Sequence, residues 1–256
     1  MKQLSPAEEL LKELGITTAG DIDIDAIAYH VGAYIKYRPL DGCDGRIIGA
    51  DDRAVISVNN RIIPTRMRFT AGHELGHWRH HRGRSFICRA EDIGNPLKGP
   101  LDPERVADNY AADLLMPRYL FEPLANETGK TNFKTVDQLR KEFQTSITAT
   151  AIRLVEYGPE SAMLVCHTMG GRKWFYRPKH IPDKWFPRND LDAESYAIDV
   201  LYGKMERSRR VLMGADAWFD RWDAKKYEVF EESCATLNNE ILTFIVFKDI
   251  EMLELE

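Results

Sequence analysis

The chain of 256 residues lacks the features that would place it in a membrane or outside the cell. It has no apolar run of the roughly 18 residues that a membrane-spanning helix needs. Residues 1–11 lack the apolar core of a signal peptide. The four cysteines lie far apart with no CxxC pair, which predicts reduced, buried thiols and not a disulfide framework (Cys43, Cys88, Cys166 and Cys234). These absences predict a cytoplasmic protein with no membrane partner.

The chain also lacks an excess of basic charge. Its 35 basic and 40 acidic side chains give a net charge of −5, so it has no overall positive field for nucleic acid. The stretch 170–188 is the richest in basic and aromatic residues, and it is either a surface for an acidic partner or a solvated loop. A chain of this length buries a full core and allows one large or two modest domains.

One pentapeptide, His-Glu-Leu-Gly-His at residues 73–77, carries most of the chemistry. The preceding residues are good helix formers and predict a helix over 65–81. Residues four apart share a helix face, so His73 and His77 would lie side by side and bind one Zn²⁺. Zn²⁺ lowers the pKa of a bound water to about 7, and Glu74, one step round the helix, would take its proton as general base.

A second helix, predicted over residues 102–117, would supply the third protein ligand. Asp102 is a typical N-cap and Pro103 a typical first helical residue. Glu104 and Asp108 are four apart and share a face. We expect Glu104 to bind the metal and Asp108 to accept the other ring N–H of a ligand histidine. The alternative is that both are solvated acids near a helix N-terminus, where negative charge is favourable.

Other residues near these motifs have weaker assignments. Tyr110 is a candidate transition-state stabiliser and equally a candidate core residue. His80 and His81 follow the first motif, and we predict packing or surface positions for both. A site of two histidines and a glutamate suits Zn²⁺, and it would also accept Mn²⁺ or Fe²⁺.

These motifs resemble those of the ImmA/IrrE metallopeptidases, found in mobile elements and in bacterial stress regulation. The resemblance covers roughly residues 5–120. It implies a zincin-like fold with His73, His77 and Glu104 as ligands, in a spacing similar to that of gluzincins. The matching pieces are the strand at 55–60, Arg68-Phe69-Thr70, the HELGH helix and the run from Glu104 through Asp108 and Tyr110 to Pro117.

The sequence departs from this family at two positions. Gly72 stands where the family usually has Ala, which costs helix stability of about 1 kcal/mol but would allow closer packing at the metal. Asp108 stands where the family often has Asn. This difference affects the expected contact between Asp108 and a ligand histidine, and it does not affect which residues bind the metal.

We predict an α+β protein in three parts. Residues 1–130 form the zincin-like metallopeptidase domain, with a small sheet from strands at 33–38, 45–49 and 53–58 lying over the metal helix. An edge strand of this sheet would bind an extended peptide by strand addition. Residues 131–158 form a helix-turn-helix-like segment.

The function of the second and third parts is open. The helix-turn-helix-like segment is a DNA-binding element or a packed linker, and a second helix with only Arg153 as a basic residue indicates the linker. Residues 159–256 form a C-terminal α+β domain that resembles ligand-sensing GAF modules only weakly. It would bind a ligand or a partner. Four of its tryptophans line a pocket or an interface, or else belong to the core (Trp174, Trp185, Trp218 and Trp222).

The resemblance implies a zinc-dependent endopeptidase of narrow specificity. Its substrate would be a helix-turn-helix transcriptional repressor, cut to release a stress-response or mobile-element operon. The main alternative is a metal-containing regulatory protein that binds a repressor or DNA without proteolysis. A toxin-like or antiphage effector is a third hypothesis, and a repressor gene adjacent to this one would favour the first.

Overall fold

The computed structural model describes residues 3–81, 86–88, 102–237 and 239–254. The architecture is mixed α+β, as the sequence predicts, in two compact units. One unit comprises Met1–Phe121 with Arg140–Ser146, and the other comprises Glu122–Leu139 with Ile147–Glu256. In these described parts of the chain, no helix combines the length and the apolarity required to cross a membrane.

In the part of the first unit that the structure describes, helices pack against a four-stranded sheet. The strand order is β1-β3-β2-β4, with β1 parallel to β3 and the other pairs antiparallel. The elements are α1 (Pro6–Glu13), α2 (Ile24–His30), β1 (Ala33–Arg38), β2 (Gly45–Ala50), β3 (Arg53–Asn59), α3 (Pro64–His80), β4 (Phe86–Cys88) and α4 (Pro103–Leu115). The three predicted strands and both motif helices are confirmed, whereas β4 has no counterpart in the sequence predictions.

Local signals explain where the two motif helices begin. Pro64 opens α3, and proline suits a first helical turn because the missing N–H would have no partner there. Asp102 caps α4 by accepting a hydrogen bond from the backbone N–H of Glu104, with Pro103 at the first helical position. These starts fix the rotation of each helix and therefore the direction in which its polar residues point.

The sheet lies over α3, as predicted, because its strands alternate in burial. Ile47 and Ile56 are buried and face the helices, whereas their neighbours Ile48 and Val55 are exposed. The inward residues pack with Leu75 of α3 and with the apolar face of α4. This core holds α3 between the sheet and α4.

Three helices follow α4 along the chain, namely α5 (Arg118–Thr128), α6 (Phe133–Phe143) and α7 (Ile147–Tyr157). The last two confirm the predicted helix pair. Helix α5 has no counterpart in the sequence predictions because Pro117 was expected to stop a helix and Pro123 lies inside this one. The division of the chain into residues 1–130, 131–158 and 159–256 stays a prediction.

The second unit contains an antiparallel five-stranded sheet in the order β6-β5-β9-β8-β7. Its tryptophans do not share one environment: Trp185 and Trp218 belong to the core, whereas Trp222 is exposed. The elements are β5 (Ala162–Thr168), β6 (Gly171–Tyr176), α8 (Ala197–Leu201), β7 (Val211–Gly214), β8 (Glu228–Ala235) and β9 (Ile241–Phe247).

Candidate metal centre

Helix α3 places His73 and His77 one turn apart in the interior of the first unit, with 0% and 1% of their surfaces exposed. Their Nε2 atoms lie 3.1 Å apart. Two nitrogen ligands on one tetrahedral Zn²⁺, each about 2.05 Å from the metal, would be about 3.3 Å apart. The two imidazoles therefore present their Nε2 atoms to a common point.

Helix α4 brings the carboxylate of Glu104 to the same point. Its Oε2 lies 3.2 Å from His73 Nε2, and its Oε1 lies 3.4 Å from His77 Nε2. The two helices approach closely because Gly76 has no side chain: a Cβ there would lie 2.8 Å from the Cα of Ala107. Each carboxylate oxygen thus lies beside one histidine Nε2, at a separation close to that of two ligands on one tetrahedral zinc, so these residues fit Zn²⁺.

Asp108 lies behind His73, at its other ring nitrogen. Its Oδ1 is 2.9 Å from His73 Nδ1. A carboxylate at this nitrogen fixes the tautomer in which Nδ1 carries the proton and Nε2 presents its lone pair. The structure thus places Asp108 beside a predicted ligand histidine, and its role in supporting a metal ligand stays a prediction.

His81 lies in the corresponding position behind His77. The two Nδ1 atoms are 3.3 Å apart, within hydrogen-bonding distance. The sequence prediction of a packing or surface position for His81 misses this contact, although the four-residue spacing that relates His73 to His77 also relates His77 to His81.

His73 and His77 differ in their affinity for a proton. Burial opposes a charge on His73, but hydrogen bonds to Asp108 and Glu104 outweigh it and raise its pKa to about 9. Burial lowers the pKa of His77, which favours its neutral form. Burial opposes ionisation of Glu104, but its hydrogen bonds to both histidines hold its pKa well below the usual range. An ionised glutamate beside two imidazoles favours a cation between them.

Glu74 lies at the same place, fully buried. Burial raises its pKa to about 7, while the charge of His73 and a hydrogen bond with Cys88 oppose this rise. Strand β2 leaves room for the carboxylate, since a Cβ on Gly45 would lie 2.5 Å from Glu74 Oε1. Apart from the Cys88 thiol, its carboxylate oxygens have no hydrogen-bond partner among the described residues. Burying a carboxylate with so few partners is costly, which supports a further polar group beside it.

Cys88 is the site residue that the sequence predictions miss. One ligand atom from each of His73, His77, Cys88 and Glu104 lies within 4.8 Å of the others. The prediction of a buried, reduced thiol is confirmed for Cys88. Its position next to the ligands depends on β4 pairing with β2, and no spacing in the sequence indicates that pairing.

Tyr110 lies in the core of the first unit. It is 5% exposed, and its ring centre lies 5.6 Å from that of His80. Burial raises its pKa to about 12, so its hydroxyl keeps its proton at neutral pH. A role in stabilising the transition state stays a prediction.

Comparisons with known proteins agree with these features. Residues 28–155, half of the chain, match the family model described as Peptidase_M78, IrrE N-terminal-like domain. A solved structure described as a Mycobacterium tuberculosis transcriptional regulator aligns over 94% of this chain and 86% of that chain, with a TM-score of 0.61. Its identity of 14% shows a shared fold alone. No curated protein matches the sequence. The family match includes both motif helices, and the chain therefore belongs to the ImmA/IrrE metallopeptidase family.

Proposed function

We propose that this protein is a zinc-dependent endopeptidase of narrow specificity. The observation that carries the proposal is the convergence of the His73 and His77 Nε2 atoms, 3.1 Å apart, on the Glu104 carboxylate, whose oxygens lie 3.2 and 3.4 Å from them, with Glu74 buried beside His73. These residue types are those that catalytic zinc sites use, with three protein ligands and a separate glutamate as base.

His73, His77 and Glu104 would hold the metal. When bound, Zn²⁺ supplies a Lewis acid that polarises the peptide carbonyl and makes water a stronger nucleophile at neutral pH. Glu74 would take the proton from the attacking water and deliver it to the departing amine nitrogen. Burial raises the pKa of Glu74, which makes its carboxylate a stronger base than an exposed one.

Two neighbouring contacts would keep the ligands in place. Asp108 would hold the proton of His73 on Nδ1, and His81 would orient the ring of His77 from behind. Such contacts raise metal affinity because they fix ring orientation before the metal arrives.

We propose a helix-turn-helix transcriptional repressor as the substrate and the cytoplasm as the location. Two findings support a regulatory role: the family assignment, and a structural neighbour that is described as a transcriptional regulator. Strand β4 lies at the end of the described sheet, and its Cys88 reaches the candidate metal site. An extended segment of the substrate would add to this edge, which would bring its backbone to the site.

A second hypothesis, a metal-containing regulatory protein without peptidase activity, is favoured by one observation. Cys88 makes a potential fourth ligand, and zinc sites with four protein ligands are typically structural. Both hypotheses predict a bound metal, and only the first predicts cleavage.

The test compares the wild type with Glu74→Gln and His77→Ala. We expect about one Zn²⁺ per chain in the wild type and in Glu74→Gln, and much less in His77→Ala. A helix-turn-helix repressor, incubated with each protein and separated on a gel, should be cut by the wild type alone. Cleavage by Glu74→Gln would refute the assignment of the base. Zinc in the wild type without cleavage would favour the second hypothesis. If the protein contains Mn²⁺ or Fe²⁺ in place of zinc, the identity of the metal changes and the proposed residue roles stay the same.

A further inference from the structure

We propose that the Cys88 thiolate is a fourth ligand of the metal and that it holds most copies of the site in a closed, latent state, so that the wild type cuts slowly. This inference rests on the proposed function, because latency has meaning only if the open site cuts a peptide. Catalytic zinc sites leave one position open, whereas structural sites fill all four. Coordination by Cys88 would fill the open position and convert a catalytic type of site into a closed one.

The first argument is the position of the sulfur. One ligand atom from each of the three proposed ligands lies within 4.8 Å of Cys88 Sγ. Around one tetrahedral Zn²⁺, with bonds of about 2.3 Å to sulfur and about 2.05 Å to nitrogen, sulfur and nitrogen would be about 3.6 Å apart. The sulfur therefore reaches the metal by an adjustment of roughly 1 Å, which a small side-chain rotation supplies.

The second argument is that the backbone holds Cys88 at this place. Cys88 pairs with Gly45 across β4 and β2, and its carbonyl oxygen accepts a hydrogen bond of 3.1 Å from the N–H of Asp44. The residue is fully buried, so its thiol faces the site and not solvent. A small thiol on a paired strand beside three metal ligands is well placed for coordination.

The third argument concerns the position that the sulfur would take. A thiol loses its proton when its sulfur binds a metal, so coordination by Cys88 releases one proton. The bound sulfur would fill the position that a catalytic zinc site leaves open, and it would therefore exclude the attacking water. Release of the sulfur, with return of the proton to the thiol, would reopen that position.

The test uses Co²⁺ in place of Zn²⁺, because a thiolate bound to Co²⁺ gives an intense charge-transfer absorption that nitrogen and oxygen ligands lack. The wild type should show this band, and Cys88→Ala should lose it. Cys43→Ala is the matched control: Cys43 lies close enough for the charge of Glu74 to affect its pKa but is outside the ligand group, so this variant should keep the band. Cys88→Ser repeats the measurement if Cys88→Ala does not fold.

Two further readouts test the latency. In competition with a chelator, Cys88→Ala should bind Zn²⁺ more weakly by about tenfold or more, the size of effect seen when the support of a site is removed. The same variant should cut the repressor faster than the wild type and the Cys43→Ala control.

The outcomes separate the two proposals. Absence of the band in the wild type, or its persistence in Cys88→Ala, would overturn the fourth ligand, whether or not the protein cuts its substrate. The band together with equal cleavage rates in the wild type and Cys88→Ala would overturn the latency. The Cys88-dependent band without cleavage by any variant would establish the ligand and refute the peptidase function.

Discussion

Gly76→Ala tests whether close contact between α3 and α4 is what brings Glu104 to the histidines. An added Cβ would lie 2.8 Å from the Cα of Ala107 and 2.9 Å from its carbonyl oxygen. These are backbone atoms, so no side-chain rotation relieves the overlap. The helices must separate by roughly half an ångström to restore ordinary van der Waals contact.

The magnitude follows from two opposing effects. Overpacking of this kind costs about 1–3 kcal/mol, whereas replacing glycine inside a helix gains about 1 kcal/mol. We therefore expect a loss of about 0–2 kcal/mol in the free energy of unfolding of the metal-free protein. The effect on the metal should be larger, because Glu104 lies on α4 one turn before Ala107 and moves with it. We expect a fall in Zn²⁺ affinity of about 10–100-fold.

Gly72→Ala is the matched control, one turn earlier on the same helix. There the added Cβ would lie 3.3 Å from the Cβ of Ala111 and 3.4 Å from its Cα, an overlap of a few tenths of an ångström at most. Its stability should stay equal or rise by up to about 1 kcal/mol, with zinc affinity unchanged. Competition with a chromogenic chelator measures affinity, and urea unfolding measures stability. Equal zinc affinity in Gly76→Ala and Gly72→Ala would refute the reasoning.

Two further predictions concern Asp108 and His167. Asp108→Ala should lower the affinity for zinc by about 10–100-fold. Asp108→Asn should lower it by less, because the amide oxygen still accepts a hydrogen bond from His73. If the wild type and Asp108→Ala bind zinc equally well in a chelator competition, Asp108 does not support the metal site. Burial lowers the pKa of His167 to about 4, so the unfolded chain, with a pKa near 6.5, takes up its proton first as the pH falls. The stabilisation from the neutral ring is therefore complete above about pH 6.5 and falls by about 3 kcal/mol towards pH 4. His167→Gln should show a shallower acid decline in urea unfolding, and an identical decline would contradict the pKa.

The sequence predicts the parts of this protein that depend on local geometry. Hydrogen bonding in a helix places residues four apart on one face, so the spacing of His73 and His77 is enough to predict a shared ligand position. The same spacing relates Glu104 to Asp108, and the caps and prolines before each motif locate both helices. Strand-forming residues between turns likewise predict β1, β2 and β3 of the first sheet.

Tertiary structure decided the features that depend on contacts between distant segments. Glu104 meets the histidines because two helices touch at Gly76, and a glycine in a sequence does not reveal which backbone will approach it. Cys88 joins the site because β4 pairs with β2 across about forty residues, and its own sequence neighbourhood resembles that of any buried cysteine. Spacing along the chain determines which residues share a face of one element. Packing of elements against one another determines which faces meet, and this packing depends on the free energy of the whole fold.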